Sequence, residues 1–313
     1  MAFTPTKETY SGKVYPVTIG TGDGAVTFGG ENVLPFNAFE GSTPNRPVIA
    51  FEIQDVPPSD WPENVKKPYD AVSGDPVTWA KYCQDELKAK AIALRLIGTH
   101  PDRENRSPED AVKTVKDVLA AVRLPLIILG SNHAEKDASV LIAAAEAAKD
   151  KNCIIGKAQE ANYKTIAAAA MANNHKLIAM SELDINLSKQ LNILITQMGF
   201  DKERVITDPM CSALGYGIEY TYSVMERIRL AALTQNDVTM QQPLLGDVGM
   251  YVWKIKETTA SEADLPQWGS AEERGIAWEA ETATALMVSG AELLIMRHPR
   301  AAAAVEELIE ELI

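Results

Sequence analysis

Cysteine is scarce in this chain: Cys83, Cys153 and Cys211 are the three among 313 residues, and no two stand in CxxC spacing. Three isolated thiols fall short of the four that hold an iron–sulfur cluster, so no such cluster is expected here. Cys153 opens an apolar run and reads as core, whereas Cys211 falls in a polar loop. So few thiols fit a reduced, cytoplasmic setting. Histidine is equally sparse: His100, His133, His175 and His298 form neither HxH nor HExxH, which argues against a divalent-metal hydrolase. Basic residues are outnumbered, 30 against 43 acidic ones, for a net charge of −13. With no basic stripe, neither nucleic acid nor an anionic membrane is an expected partner. The acidity serves solubility or complements a basic partner. No apolar run is long enough to cross a bilayer. Met1-Ala2-Phe3-Thr4-Pro5 lacks a basic start followed by an apolar core, so no signal peptide is expected. Phosphate-cradling GxGxxG and GxxxxGK[ST] loops are missing as well.

What is present is a globular composition, 46% hydrophobic and 23% charged, able to bury a sizeable core. Residues 12–30 read as a hairpin. Val14, Tyr15, Val17 and Ile19 precede the turn Thr21-Gly22-Asp23-Gly24, and Ala25, Val26 and Phe28 follow it. Pro16 makes the first strand an edge strand. Short apolar runs then recur at Val48–Ile53, Ala91–Ile97, Leu126–Leu129, Ile154–Gly156, Leu177–Met180, Val205–Thr207, Pro243–Leu245 and Leu293–Met296. Each is followed by a helical period, at Pro76–Lys88, Pro108–Val122, Ala138–Lys149, Tyr163–Met171, Leu187–Met198, Ile218–Leu233, within Ala271–Val288, and at Ala301–Ile313. Asp75-Pro76 and Ser107-Pro108 place a capping residue before a proline at the first helical position.

Eight strand–helix units with near-continuous apolar strands predict an α/β fold, a (β/α)₈ TIM barrel with an N-terminal β-hairpin under its floor. A doubly wound open sheet is the alternative. No linker interrupts the chain, so residues 1–45 read as a capping hairpin segment and 46–313 as the barrel. The rim at the strand ends should carry Glu52, Asp55, Thr99, His100, Asp102, Ser131, Asn132, His133, Lys157, Gln159, Ser181, Glu182, Asp184, Asp208, Ser212, Asp247, Arg297 and His298. Lys157 is placed for a Schiff-base aldolase, although Asp247 would repel a phosphorylated substrate. Asp184, Asp208 and Asn132 could hold a pterin in a methyltransferase barrel. The loops Gln54–Ser73 and Val248–Gly269 are long and carry Trp61, Tyr69, Tyr251, Trp253 and Trp268. They suggest contact with another protein or a large flat ligand; the alternative is that they pack over the barrel's own helices.

The focal stretch is Asp208-Pro209 followed by LGYGIEYTYSVMERIRLAAL at Leu214–Leu233. Pro209 ends a strand, Gly215-Tyr216-Gly217 lets backbone approach a ligand, and a helix begins at Ile218. This stretch closely resembles the small subunit of the corrinoid/iron–sulfur protein of acetogenic bacteria, called delta in the acetyl-CoA decarbonylase/synthase complexes of methanogens. The likeness runs in order from the hairpin through Pro47–Glu52, Ala93–Leu96, Gly156–Gln159 and Ala179–Asp184 to the last strand.

The resemblance implies a non-catalytic barrel in a heterodimeric methyl carrier of the reductive acetyl-CoA (Wood–Ljungdahl) pathway of carbon dioxide fixation. Its implied partner is a large subunit bearing a [4Fe–4S] cluster and most of the contacts to cobalamin. The cobalt takes a methyl group from methyltetrahydrofolate through a methyltransferase and delivers it to carbon monoxide dehydrogenase/acetyl-CoA synthase. DxHxxG, the histidine-bearing motif of many corrinoid-binding domains, is absent here, which accords with that domain lying on another chain. The mouth loops should then roof the corrin. The candidate cofactor-binding residues are Asp184, Asp208, Met210, Cys211, Ser212, Gly215, Tyr216 and Gly217. No catalytic residue and no metal ligand is expected on this chain.

Overall fold

The computed structural model describes residues 6–35 and 37–312. The Met1–Pro5 leader position, Phe36 of the N-terminal segment and Ile313, expected to end the last helix, lie outside these residues.

Strands β1 (Val17–Ile19) and β2 (Val26–Phe28) pair antiparallel, with Val17 opposite Phe28. The next eight are β3 (Val48–Gln54), β4 (Ala91–Arg95), β5 (Leu126–Leu129), β6 (Ile154–Ala158), β7 (Lys176–Met180), β8 (Val205–Asp208), β9 (Leu244–Gly246) and β10 (Ala291–Met296). They form a closed barrel in sequential order, and the parallel pairing of β10 with β3 (Leu293 with Val48) completes it. That pairing is the one an open sheet would lack. The major helices around the barrel are Pro76–Asp85, Pro108–Ala121, Ala134–Ala147, Tyr163–Ala172, Ile185–Gln197, Ile218–Thr234, Ala271–Val288 and Pro299–Leu312.

The caps form as the sequence leads one to expect. The Asp75 side chain accepts from Thr78 N, and Ser107 with Asp110 makes a reciprocal capping box. Ala134–Ala147 starts a turn earlier than its apolar period suggests, because His133 Nδ1 caps it by accepting from Lys136 N. Within the two long loops lie short helices at Glu63–Lys66, Val248–Val252 and Lys256–Thr259, too brief to show a helical period.

Strand residues alternate between two apolar layers. The outward set, including Ile49, Ile53, Ile92, Leu94, Ile128 and Leu177, packs beneath the helices. The inward set, including Val48, Ala50, Ala93, Ile127, Ile154, Ile206 and Leu293, forms a separate cluster with Val17, Ile19 and Phe28 of the hairpin. The hairpin therefore plugs the barrel. Its contacts show which end it plugs. Asn152, just before β6, donates to Thr18 O and Gly20 O, and Tyr15 N donates to Gln241 O shortly before β9. These are the amino-terminal ends of the strands.

The long loops fold back onto the barrel. Trp61 and Trp79 are buried and meet edge to face with ring centroids 5.4 Å apart, and Tyr69 donates to Arg297 O. Trp253 is buried and stacks on His298 at 5.9 Å. Trp61 and Trp253, which suggested partner contact in the sequence, thus face inward, because a loop lying across a barrel top gains most by burying its largest apolar surfaces. Trp268 remains 37% exposed.

Phe28→Ala should cost about 3–5 kcal/mol of unfolding free energy, the usual range for emptying a fully enclosed aromatic site. Urea denaturation followed by circular dichroism measures it. A cost under about 1 kcal/mol would mean that the hairpin does not plug the barrel.

Candidate functional site

Above the apolar inward layers, the strand ends turn charged. Glu52 of β3, Arg95 of β4, Lys157 of β6, Asp208 of β8, Asp247 after β9 and Arg297 after β10 are each 6% exposed or less. Lys157 Nζ lies 2.7 Å from Asp208 Oδ2 and 2.7 Å from Asp247 Oδ2. Arg95 reaches Asp247 at 2.9 Å and Glu52 at 3.2 Å, and Arg297 reaches Glu52 at 2.9 Å. The Arg297 guanidinium also lies over the Trp61 ring, 4.5 Å from its centroid. Three cations and three carboxylates form one charge-balanced chain across the mouth.

Burial alone would favour the neutral form of every member, and for most of them the neighbours win. Burial works against the charge on Lys157 and Arg95, yet the carboxylates of Asp208, Asp247 and Glu52 hold both cations above their ordinary values. Burial likewise opposes the charge on Asp247 and Glu52, yet their cationic partners hold both carboxylates below the usual range. Asp208 is the exception: its complete burial outweighs Lys157 and keeps it above that range. A Schiff-base amine has to lose its proton. Lys157 is enclosed, and its two carboxylate partners favour the protonated form, which does not suit that role.

The candidate residues are distributed above and below this layer. Asp208 Oδ1 accepts from Met210 N at 2.9 Å and turns the chain at Met210, whose φ is +67°. Thr221 Oγ1 accepts from Ser212 N, and Trp278 Nε1 donates to Leu214 O, so the loop is tied to two helices. Cys211 is buried beneath it. Burial, with Asp208 and Asp247 nearby, raises its thiol well above the ordinary value. Met210, Ser212 and Gly217 are half-buried, and Gly215 is exposed. Tyr216 is 48% exposed and Tyr220 64%. Gly215 has a φ of +82° and open space where a side chain would project. Asp184 stands one strand over and caps Ile185–Gln197, accepting from Asn186 N and Leu187 N.

His100 and His133 meet edge to face, 5.5 Å apart, on the same rim. Each accepts a backbone N–H at Nδ1, from Asp102 and Lys136 respectively.

A family model described as CO dehydrogenase/acetyl-CoA synthase delta subunit matches residues 16–309. The chain belongs to this delta-subunit family. It is 35% identical over 98% of its length to the acetyl-CoA decarbonylase/synthase complex subunit delta of Methanothermobacter thermautotrophicus, covering 78% of that protein. It is 34% identical over 99% of its length to the subunit of the same description from Archaeoglobus fulgidus, covering 71% of it. Among solved structures it is similar to Xanthomonas albilineans dihydropteroate synthase with 4-aminobenzoic acid. There the TM-score is 0.57 at 15% identity, covering 88% of this chain and 96% of that one. It is also similar to Yersinia pestis dihydropteroate synthase, with TM-score 0.54 at 13% identity, over 87% and 94%. At such identity the likeness shows the shared fold alone.

In this delta-subunit barrel the residues considered for a pterin are engaged locally. Asp208 is ion-paired, Asp184 caps its helix, and Asn132 Nδ2 points at Met250 Sδ, 3.4 Å away. Two members of the mouth escape a reading of strand ends. Arg95 falls inside an expected apolar strand, where a charge in AIALRLIG was the available signal. Glu279 lies in the helix Ala271–Val288 and accepts from Arg297 N and His298 N at 2.6 and 2.9 Å. No sequence pattern marks it. Burial pushes Glu279 up to about 7 despite those two donors.

Asp247→Asn leaves Arg95 and Lys157 short of a buried counter-charge and should cost about 3–5 kcal/mol in urea unfolding. A loss near zero would mean that the network is solvated. Glu279 gives a pH signature. Its folded pKa lies above its unfolded one, so the folded state binds the extra proton between about pH 4.5 and 7, and stability from this group falls as pH rises through that window. His298, lowered to about 4 by burial, gives the opposite slope over part of the same window. The parent-minus-variant stability difference for Glu279→Gln removes that background and should decline from pH 4.5 to 7. A flat difference would show that Glu279 is ionised throughout.

Proposed function

We propose that this chain is the non-catalytic barrel subunit of a corrinoid methyl carrier in the reductive acetyl-CoA pathway. It pairs one to one with a large subunit that holds cobalamin and a [4Fe–4S] cluster, and its carboxyl-terminal rim roofs the corrin. Membership of the delta-subunit family supports the pathway. The observation that carries the role is the filled mouth. The place where a barrel enzyme would bind its substrate is occupied by Glu52, Arg95, Lys157, Asp208, Asp247 and Arg297, paired among themselves.

The rim suits a broad flat ring fringed with carboxamides. Gly215 leaves open space above the backbone, and Tyr216 presents an exposed ring beside it. Contact with the corrin falls to Met210, Ser212, Gly215, Tyr216 and Gly217, with Asp184 at the edge. Asp208 and Cys211 act from beneath by holding the loop in shape. When bound, the corrinoid supplies the cobalt that takes a methyl group from methyltetrahydrofolate through a separate methyltransferase and hands it to carbon monoxide dehydrogenase/acetyl-CoA synthase. This chain's task is to exclude water and to offer the metal no competing ligand. Cys211 serves that task by keeping its proton and lying below the surface.

The test is reconstitution with the large subunit. Gly215→Val and Tyr216→Ala should leave the dimer intact by size exclusion but change the cobalt absorption spectrum or lower corrinoid retention. If both variants hold and methylate the cofactor like the parent, the rim is not the corrin surface. A chain that stays monomeric beside the large subunit would refute the pairing. Methyl transfer from the folate by this chain alone would restore the pterin-methyltransferase reading.

A further inference from the structure

Beside the mouth, the barrel wall opens into a groove of about 550 Å³ between the turn after β6 and the helix Ile185–Gln197. Met180, Leu187, Leu191 and Leu194 are among its lining residues. The three leucines recur four and three residues apart along one helical face, a stripe roughly 10 Å long at 1.5 Å per residue. The stripe is unevenly covered: Leu187 at the rim is 45% exposed, Leu191 only 5%, and Leu194 beyond it is half-buried. Leucine in the first turn of a helix, left nearly half in water, has no role in the barrel's own core.

Two polar features accompany the stripe. Ser181 lines the groove and is 6% exposed, yet its hydroxyl has no hydrogen-bond partner. A buried hydroxyl without a partner is costly, and a donor or acceptor from outside would relieve it. Glu160 and Glu182, both exposed, also line the groove and make its open edge acidic. The groove adjoins the proposed corrin face directly, since Ser181 N donates to Asp208 O at 2.9 Å.

We infer that this groove seats a segment of the large partner subunit in which apolar side chains are flanked by a lysine or arginine. The inference rests on the heterodimer proposed above and names where the partner grips. A linear apolar trough with an acidic open edge suits a stretch of polypeptide better than a ring fringed with neutral carboxamides. The apolar side chains cover Leu187, Leu191 and Leu194. A backbone or side-chain group pairs with the Ser181 hydroxyl, and the cation meets Glu160 and Glu182.

The experiment measures the affinity of the purified large subunit for the parent chain, for Leu187→Asp and for the double variant Glu160→Lys/Glu182→Lys. All three positions are exposed, and circular dichroism with thermal melting checks that the barrel is intact. Leu187→Asp should weaken binding by about tenfold or more. The charge reversal should weaken it several-fold, with the parent's salt dependence reduced. At saturating partner, the cobalt spectrum of each dimer should match the parent's. Parent-like affinity in both variants would overturn the inference while leaving the heterodimer standing. Intact dimers that lose corrinoid would overturn it in favour of the cofactor as occupant. Failure of the parent chain itself to bind the large subunit would overturn the proposed function and this inference together.

Discussion

The charge chain across the barrel mouth depends on one residue, Asp247. It receives both Arg95 and Lys157, and so links the Glu52–Arg297 pair on one side to Asp208 on the other. Buried ion pairs often contribute little net stability, since desolvation offsets much of the Coulombic attraction. Their effect here is on shape and access. Six charged side chains from six strand ends pair with one another across the mouth of the barrel. A substrate entering there would have to separate cations from carboxylates in a poorly solvated space.

The same constraint shapes what lies above and below. Asp208 faces Lys157 with one oxygen and the Met210 N–H with the other, so the network also sets the turn of the focal loop. Glu279 gathers the backbone N–H groups of Arg297 and His298 and fixes the end of β10. At the other end of the barrel a second buried pair serves a related purpose. Arg229 binds Glu292 at 2.6 Å while donating to Gln242 O and Gly290 O, and Glu292 also accepts from Leu244 N. Between the two polar ends the interior is apolar and closed from below by Val17, Ile19 and Phe28. The barrel is therefore packed along its whole axis, from the hairpin below to the paired charges at the mouth.

Much of this was legible from local chemistry. Apolar runs alternating with helical periods specify parallel strands buried on both faces, because only that arrangement hides them. Asp75-Pro76 and Ser107-Pro108 specify helix starts, because capping needs only neighbours in sequence. Gly215-Tyr216-Gly217 specifies a loop with left-handed backbone, seen at φ +82° and +93° for the glycines. The resemblance of Leu214–Leu233 to the delta subunit likewise came from sequence, and the family match over residues 16–309 accords with it.

Tertiary structure decided which side chains share a space. Arg95 and Asp247 are 152 residues apart, and Arg297 and Glu52 are 245 apart. No local pattern can say that such charges cancel, because pairing depends on barrel closure and on strand register. The same holds for Asp208 and Cys211, which look like exposed loop residues and lie buried, and for Trp61 and Trp253, which look like contact residues and pack inward. Sequence by itself determined the barrel, its plug and its family, since these follow from periodicity and motif. Only the folded chain decided that the mouth is closed, since that rests on distances between strand ends that sequence separation hides.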